Sequence, residues 1–348
     1  MPKPRLLASI ALPFAAAALV ACNAPPEPTR PEQPPATAAP TLTRQAIETA
    51  VFEAARPPVA NGPATPAAPD PAIARAQILL DRANFSPGVI DGLGGDNTRQ
   101  AVAAFEKAAG LPEDGVLDAK VFRRLTAGDN GKVMADYVIT AADLAGPFIG
   151  QVPSDLQAMS KLATVGYATP LEAFAEKFHM TEGLLRALNP GVDFGRAGQS
   201  IIVAAVAQTD LTGDVARIVV DKTERSVRAY DADDKLLAFY PATIGSSTRP
   251  APSGDLTVVG VAPEPNYTYD PDRVSYDRGD RKMIVPPGPN NPVGSVWIDL
   301  SRDTYGIHGT PDPSKVGKTF SSGCVRLTNW DAEQLASRVK PGVRVVFL

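Results

Sequence analysis

Tyr305-Gly306-Ile307-His308-Gly309-Thr310, followed by Phe320-Ser321-Ser322-Gly323-Cys324-Val325-Arg326-Leu327, is the stretch that decides how the C-terminal part of this 348-residue chain is read. The chain has two histidines and two cysteines, and one of each falls here. A thiolate is the nucleophilic form of cysteine, and an imidazole within hydrogen-bond reach both deprotonates the thiol and stabilises the anion. Gly323 removes side-chain bulk where a carbonyl must approach Cys324. It also lets consecutive backbone N–H groups point at a developing oxyanion. The competing reading is a structural cysteine near an unrelated histidine.

The surrounding sequence is strand-like. Ala216 to Val220, Ser226 to Tyr230, Leu236 to Tyr240 and Leu256 to Val261 are short apolar-rich runs punctuated by polar turns, Pro and Gly. They predict a mainly β domain over about residues 213–348.

His-Gly-Thr and then Ser-x-Gly-Cys-Val-Arg-Leu resemble the signature of the L,D-transpeptidase (YkuD) catalytic domain. The likeness extends to Gly245 to Gly254 with Pro250 and Pro252, Pro286-Pro287-Gly288, Asn291-Pro292-Val293-Gly294 and Trp297-Ile298. One departure is Ser322, a position often held by His in that family. The resemblance implies Cys324 as nucleophile and His308 as its base, with a backbone carbonyl close to Gly309 orienting the imidazole. It implies an oxyanion hole from the amides of Gly323 and Cys324, with Ser322 a further contributor. Ser321, Tyr305, Trp297 and Arg326 are candidate substrate contacts. For Trp297 a core role competes with a place in the cleft wall, and is favoured. Arg326 is either the partner of a substrate carboxylate or a member of a structural ion pair. No metal or other cofactor is implied.

Working outward, residues 71–128 carry helical periodicity in Ile73, Ile78, Leu79 and Leu80, then in Val102 and Phe105, and then in Val121, Phe122 and Leu125. A near-repeat, Gly88-Val89-Ile90-Asp91 and Gly115-Val116-Leu117-Asp118, offers a tight turn, two apolar plugs and an Asp able to bond local amides. With Asp91-Gly92, Gly95 to Thr98 and Gly110-Leu111-x-x-Asp114-Gly115, this region is similar to the small three-helix peptidoglycan-binding domain. Glu106 stands where that family usually has Gln. Residues 132–207 contain a helix pair from Thr169 to Leu188 and a strand-like Ile201-Ile202-Val203, and resemble a LysM module, a strand-helix-helix-strand glycan binder. His179, inside it, is expected to be a surface or packing residue.

The N-terminus opens with Lys3 and Arg5, an apolar run from Leu6 to Val20, and Leu19-Val20-Ala21-Cys22. A basic start and a short apolar core describe a secretory signal, and the run is short for a membrane span. The ending resembles the bacterial lipobox, which implies cleavage after residue 21 and lipidation of Cys22. An ordinary signal peptide is the alternative. Cys324 would then be the sole thiol of the mature chain, a candidate reactive group in an exported protein. Residues 22–70 are rich in Pro, Ala and Thr and are expected to be an extended tether, with at best a transient helix between Leu42 and Arg56.

A net charge of −4 with no basic stripe gives no case for nucleic-acid binding. The expected fold class is multidomain α+β: signal 1–21, linker 22–70, three-helix domain 71–128, LysM-like module 132–207 and mainly β catalytic domain 213–348. The expected function is peptidoglycan L,D-transpeptidation, forming 3→3 cross-links in wall biogenesis and cell-shape maintenance, by a carbapenem-sensitive, lipid-anchored enzyme facing the periplasm. Its partners would be stem peptides, glycan and the membrane. Water, giving an L,D-carboxypeptidase, or a lysine of an envelope lipoprotein or outer-membrane protein are alternative acyl acceptors. A non-catalytic wall-tethering lipoprotein is the reading from another class.

Overall fold

The computed structural model describes residues 42–52, 68–206, 210–274 and 279–348. The signal sequence, Cys22 and most of the Pro/Ala-rich segment therefore lie outside the described residues. Within that segment, however, helix α1 (Arg44–Thr49) is built, and this corrects the tether reading there. Thr43 Oγ1 accepts from the Ala46 N–H at 3.1 Å, and Ile47 is fully buried. The Glu48 carboxylate accepts from the N–H groups of Met134 and Val133 at 2.9 and 3.2 Å, and Arg44 meets Asp136 at 2.6 Å. Six residues do not hold a helix alone. Burial of Ile47 and these long-range bonds supply what composition could not reveal.

Helices α2 (Pro71–Arg82), α3 (Asp96–Ala109) and α4 (Ala119–Gly128) follow. Asp70 caps α2 through the amides of Ala72 and Ile73, with Pro71 at the first helical position where its missing N–H costs nothing. The near-repeat is built twice by the same device. Gln77 Oε1 accepts from the N–H groups of Asp91 and Gly92, while Glu106 Oε2 accepts from those of Asp114 and Gly115. Both side chains are buried, and burial raises the Glu106 pKa.

Strand β1 (Met134–Val138), helices α5 (Leu156–Met159), α6 (Pro170–Lys177) and α7 (Glu182–Leu188), and strand β2 (Ser200–Ala204) come next. The two strands pair antiparallel from Met134↔Ala204 to Val138↔Ser200. Strand, helix, helix and strand occur in that order, with α5 and its connections inserted after β1. Ile78, Leu80 and Ile90 share one hydrophobic core with Phe174, Leu185 and Ile201. Residues 71–128 and 132–206 thus pack as one body. Main-chain bonds from Ile90 N–H to His179 O and from Thr181 N–H to Ile90 O tie the two together.

The remaining chain forms β3 (Arg217–Asp221), β4 (Ser226–Tyr230), β5 (Leu236–Pro241), β6 (Thr243–Ile244), β7 (Gly254–Pro263), β8 (Tyr267–Tyr269), β9 (Met283–Val285), β10 (Val296–Leu300), β11 (Gly306–His308), β12 (Val325–Arg326), α8 (Asn329–Ala336) and β13 (Arg344–Phe347). Nine strands make one sheet in the order β5-β4-β3-β13-β7-β10-β11-β12-β6, and β8 and β9 form a separate hairpin. The pairs β3–β13 and β11–β12 are parallel and the others antiparallel. Strands β5 and β6 stand at opposite ends of this order, yet only Ala242 separates them in the chain. The sheet must curl until its ends meet, around a core that includes Val220, Val227, Tyr240, Ile298, Ile307 and Val325.

Helix α8 leans against the N-terminal body through buried ionisable groups. The Ser86 hydroxyl donates to Asp331 Oδ2 at 3.0 Å, His179 Nδ1 lies 2.8 Å from Asp81 Oδ2, and the His179 ring stacks on Trp330 at 4.9 Å. His179 is thus a packing residue, held in the left-handed region at φ +55°. Burial, reinforced by Asp81, pushes Asp331 up to about 7. Burial, reinforced by Glu172 and Glu333, pushes Glu176 up to about 8. Burial disfavours the charged form of His179, but Asp81 outweighs it and the net shift is upward. All three bind a proton more tightly in the folded chain than in the unfolded one. Their stabilisation is complete below the unfolded carboxyl values and is lost as pH rises through the folded ones. Melting temperature should therefore fall as pH is raised from 5 to 8 in thermal melts. The pair of substitutions Glu176→Gln and Asp331→Asn should flatten that slope, and an unchanged slope would contradict the assignment.

Candidate active site

The parallel pair β11–β12 sets the site. Its register, Ile307↔Val325 and His308↔Arg326, places His308 beside the segment that leads into Arg326. On the other side His308 is in register with Trp297 of β10, and the two rings stack at 5.4 Å with 20° between their planes. Trp297 can lie there because residue 306 is glycine: a Cβ would sit 2.4 Å from an indole carbon. Trp297 Nε1 donates to Asp299 Oδ1 at 3.1 Å.

His308 is 3% exposed, and its Nδ1 donates to the Gly309 carbonyl oxygen at 2.6 Å. Occupying Nδ1 as the donor leaves Nε2 as the acceptor. Burial, with Arg326 adding to it, lowers the His308 pKa to about 3, against the opposing pull of the Gly309 and Val293 carbonyls. The ring is therefore a neutral base at ordinary pH. Cys324 Sγ lies 3.6 Å from the Thr304 carbonyl oxygen. Burial raises the thiol pKa, with the Gly306 backbone and Arg326 offsetting part of the shift. Thiol and imidazole both start uncharged.

The turn before Cys324 is held by Ser321. Its Oγ accepts from the N–H groups of Gly245 at 2.7 Å and Gly323 at 3.2 Å, and donates to the Cys324 carbonyl at 2.6 Å. This corrects one expectation: the Gly323 amide is committed to Ser321 rather than open to an oxyanion. Ser321 organises the loop through backbone groups and also lines the cleft that holds Cys324. Gly323 adopts φ +113°, and a Cβ there would lie 2.9 Å from the Tyr305 ring. Tyr305 consequently buttresses this turn, with the Arg302 guanidinium 4.9 Å from its ring centroid, and is not part of the cleft wall. Ser322 Oγ accepts from Arg249 Nη1 at 2.9 Å.

Trp297, His308, Ser322, Cys324 and Arg326 line one cleft of about 500 Å³. The structure thus gives Trp297 the cleft-wall place that the sequence reading had ranked second. Tyr267 and Arg273, from the β8–β9 hairpin region, face them across it, and Arg273 bridges to Asp303 at 2.6 Å, next to Thr304.

A family model for the L,D-transpeptidase catalytic domain matches residues 215–347. The protein called "Putative L,D-transpeptidase YkuD" in Bacillus licheniformis is 34% identical over 177 residues, which span 50% of this chain and 91% of that relative. This chain belongs to the L,D-transpeptidase family. A second model, for the "Putative peptidoglycan binding domain", matches residues 69–125. "Probable L,D-transpeptidase ErfK/SrfK" of Escherichia coli K12 is 32% identical over 184 residues, covering 51% of this chain and 58% of that one. Among solved structures, L,D-transpeptidase 3 of Mycobacterium tuberculosis matches with 17% identity and a TM-score of 0.33, over 43% of this chain and 65% of its own.

Of the family positions read from sequence, His308, Cys324, Ser321, Ser322, Arg326 and Trp297 converge on the cleft, Gly309 meets His308, and Ser321, Gly323 and Tyr305 shape the turn. Sequence reasoning missed Arg249, Thr304 and Asn329. The first two reach Ser322 and Cys324 from interstrand connections that carry no periodic signal. Asn329 lies two positions past Leu327, at the first residue of α8, where nothing in local spacing marks a contact with the 309–310 peptide. With burial raising its pKa, Cys324 should be alkylated by iodoacetamide slowly at neutral pH. The rate should climb only above the ordinary thiol range, with no inflection near 6.5. Mass mapping of the Cys324 peptide across pH measures this, and a thiolate titrating below pH 8 would refute it.

Proposed function

We propose that this chain is a peptidoglycan L,D-transpeptidase working through a thioester on Cys324, and that it forms 3→3 cross-links. The observation that carries the reading is the shared cleft, which Cys324 and a neutral, Nδ1-committed His308 both line. Cys324 Sγ attacks the carbonyl between the third and fourth residues of a stem peptide as its proton passes to His308 Nε2. The amides of Cys324 and Ser322 receive the oxyanion. The imidazolium returns the proton to the leaving D-amino acid as the C–N bond breaks. An amine of a second stem then attacks the thioester, His308 takes its proton, and Cys324 departs to be reprotonated. The amide's energy is conserved in the thioester, so no nucleotide is needed outside the cytoplasm. Residues 69–125 would hold the enzyme to its polymer.

Cys324→Ala should abolish acylation and every cross-linked or trimmed product. His308→Ala should lose roughly 10²–10⁴-fold at neutral pH, the usual contribution of a positioned acid–base group. The double variant should be no worse than Cys324→Ala, because the two act as a unit. A carbapenem should add with its full mass to Cys324. Muropeptide analysis and intact mass read these outcomes, and turnover by Cys324→Ala would end the proposal. The same muropeptide profile separates a stem amine from water as acceptor.

We place the enzyme in the cell envelope, exported and anchored by lipid on Cys22 with residues 213–348 facing the periplasm. Multiple acyl chains give stable anchoring where one is reversible. The N-terminal peptide of the mature protein should carry acyl mass on Cys22, and Cys22→Ser should leave the membrane fraction. A wild-type protein cleaved elsewhere and unlipidated would refute the anchor.

A further inference from the structure

The base is held by a chain of contacts that begins outside the barrel. His308 Nδ1 donates to Gly309 O at 2.6 Å. That carbonyl belongs to the same peptide unit as the Thr310 N–H, which donates to Asn329 Oδ1 at 3.0 Å. In a trans peptide the C=O and N–H point opposite ways. A partner fixed on the N–H side therefore fixes the plane in which the carbonyl meets the imidazole. Asn329 is 4% exposed and uses its whole hydrogen-bonding capacity. Oδ1 also accepts from the Ser295 N–H at 3.2 Å, and Nδ2 donates to Pro289 O at 3.1 Å and to Glu176 Oε2 at 2.9 Å. Gly309 and Gly294 leave room for it, since a Cβ on either would lie 2.2 Å from Asn329 Oδ1. Glu176 stands on α6 of the N-terminal body, is 7% exposed, and its other oxygen, Oε1, has no partner among the described residues.

We infer that Asn329 and Glu176 are positioning residues for His308. Glu176 holds the Asn329 amide, Asn329 holds the Gly309–Thr310 peptide, and that peptide sets the tautomer and tilt of the ring. The inference rests on the reading of His308 as the base of the proposed reaction. It makes the helix pair upstream of the barrel part of the catalytic apparatus. Burial keeps Glu176 a neutral acid at ordinary pH, so it accepts from Asn329 without adding a second charge near the neutral imidazole.

The test uses the full chain. Two histidines give two imidazole signals in ¹⁵N spectra, with His179 as internal reference, and stopped-flow acylation by a carbapenem gives the chemical rate and the initial binding constant separately. Asn329→Ala and Glu176→Ala should move His308 from a single Nδ1–H form to a mixture of tautomers. They should slow acylation by about 10- to 100-fold, the scale for losing a buried supporting hydrogen bond, with initial binding unchanged. Glu176→Gln, which keeps an oxygen facing Asn329, should recover most of the loss. A wild-type tautomer and rate in both alanine variants would overturn the inference, as would equal losses with Glu176→Ala and Glu176→Gln. If Asn329→Ala fails to fold, the Glu176 pair, remote from the barrel core, decides alone. If the wild type takes no adduct at all, the proposed reaction fails, while the tautomer spectra still report on the chain of contacts.

Discussion

A single residue, Ala242, joins the two strands at opposite ends of the nine-stranded order. That covalent constraint closes the sheet, and closure dictates where a reactive group can stand. Near the seam the strands are short: β11 has three residues, and β12 and β6 two each. A short strand leaves its flanking loops close to the barrel wall while its own backbone stays paired. His308 ends one such strand and Cys324 immediately precedes another. Their parallel pairing fixes the two side chains on rigid neighbours, even though 15 residues lie between them in sequence.

The electrostatic setting follows from the same closure. His308 is buried and Cys324 half-buried, and burial penalises the charged form of each, so thiol and imidazole rest neutral. Arg326, in the cleft and in register with His308, pushes in two senses at once. It helps a thiolate and opposes an imidazolium. A resting ion pair would need the opposite balance. Proton transfer must therefore accompany attack on the carbonyl, and the geometry of His308 matters more to rate than its basicity.

Much of this was legible in the sequence. The four barrel strands read from short apolar runs and turn residues appear within two residues of where they were expected, and Ser226–Tyr230 coincides with β4, while the shorter strands β6, β8, β9, β11 and β12 carried no such run. The His308 and Cys324 signatures were legible because rare residues in fixed spacing carry chemistry, and because the family likeness is dense there. What escaped has a common physical cause. Helix α1 depends on Ile47 meeting a core assembled from residues as far along the chain as Phe239, and local composition says nothing of that. The expected Gly323 oxyanion donor failed because a serine hydroxyl two residues earlier competes for the same N–H. Spacing shows which groups are near one another, not which partner wins.

The N-terminal body raises the same point at larger scale. Residues 71–128 and 132–207 read as modules on a string, each with its own periodicity. In the fold they share one core, and their contact with α8 is made of Asp81, His179, Glu176, Trp330 and Asp331. A surface built from buried ionisable groups weakens as pH rises, since each group must be paired or neutral to stay inside. It does fix orientation closely, because hydrogen bonds and ring stacking tolerate little displacement. An apolar junction would hold the two parts together but let them slide. Here Phe239 of β5 adds an apolar contact, while the angle between the N-terminal body and the barrel is set by directional bonds, one of which, from Asn329 to Glu176, is the third hydrogen bond out from the imidazole in the cleft.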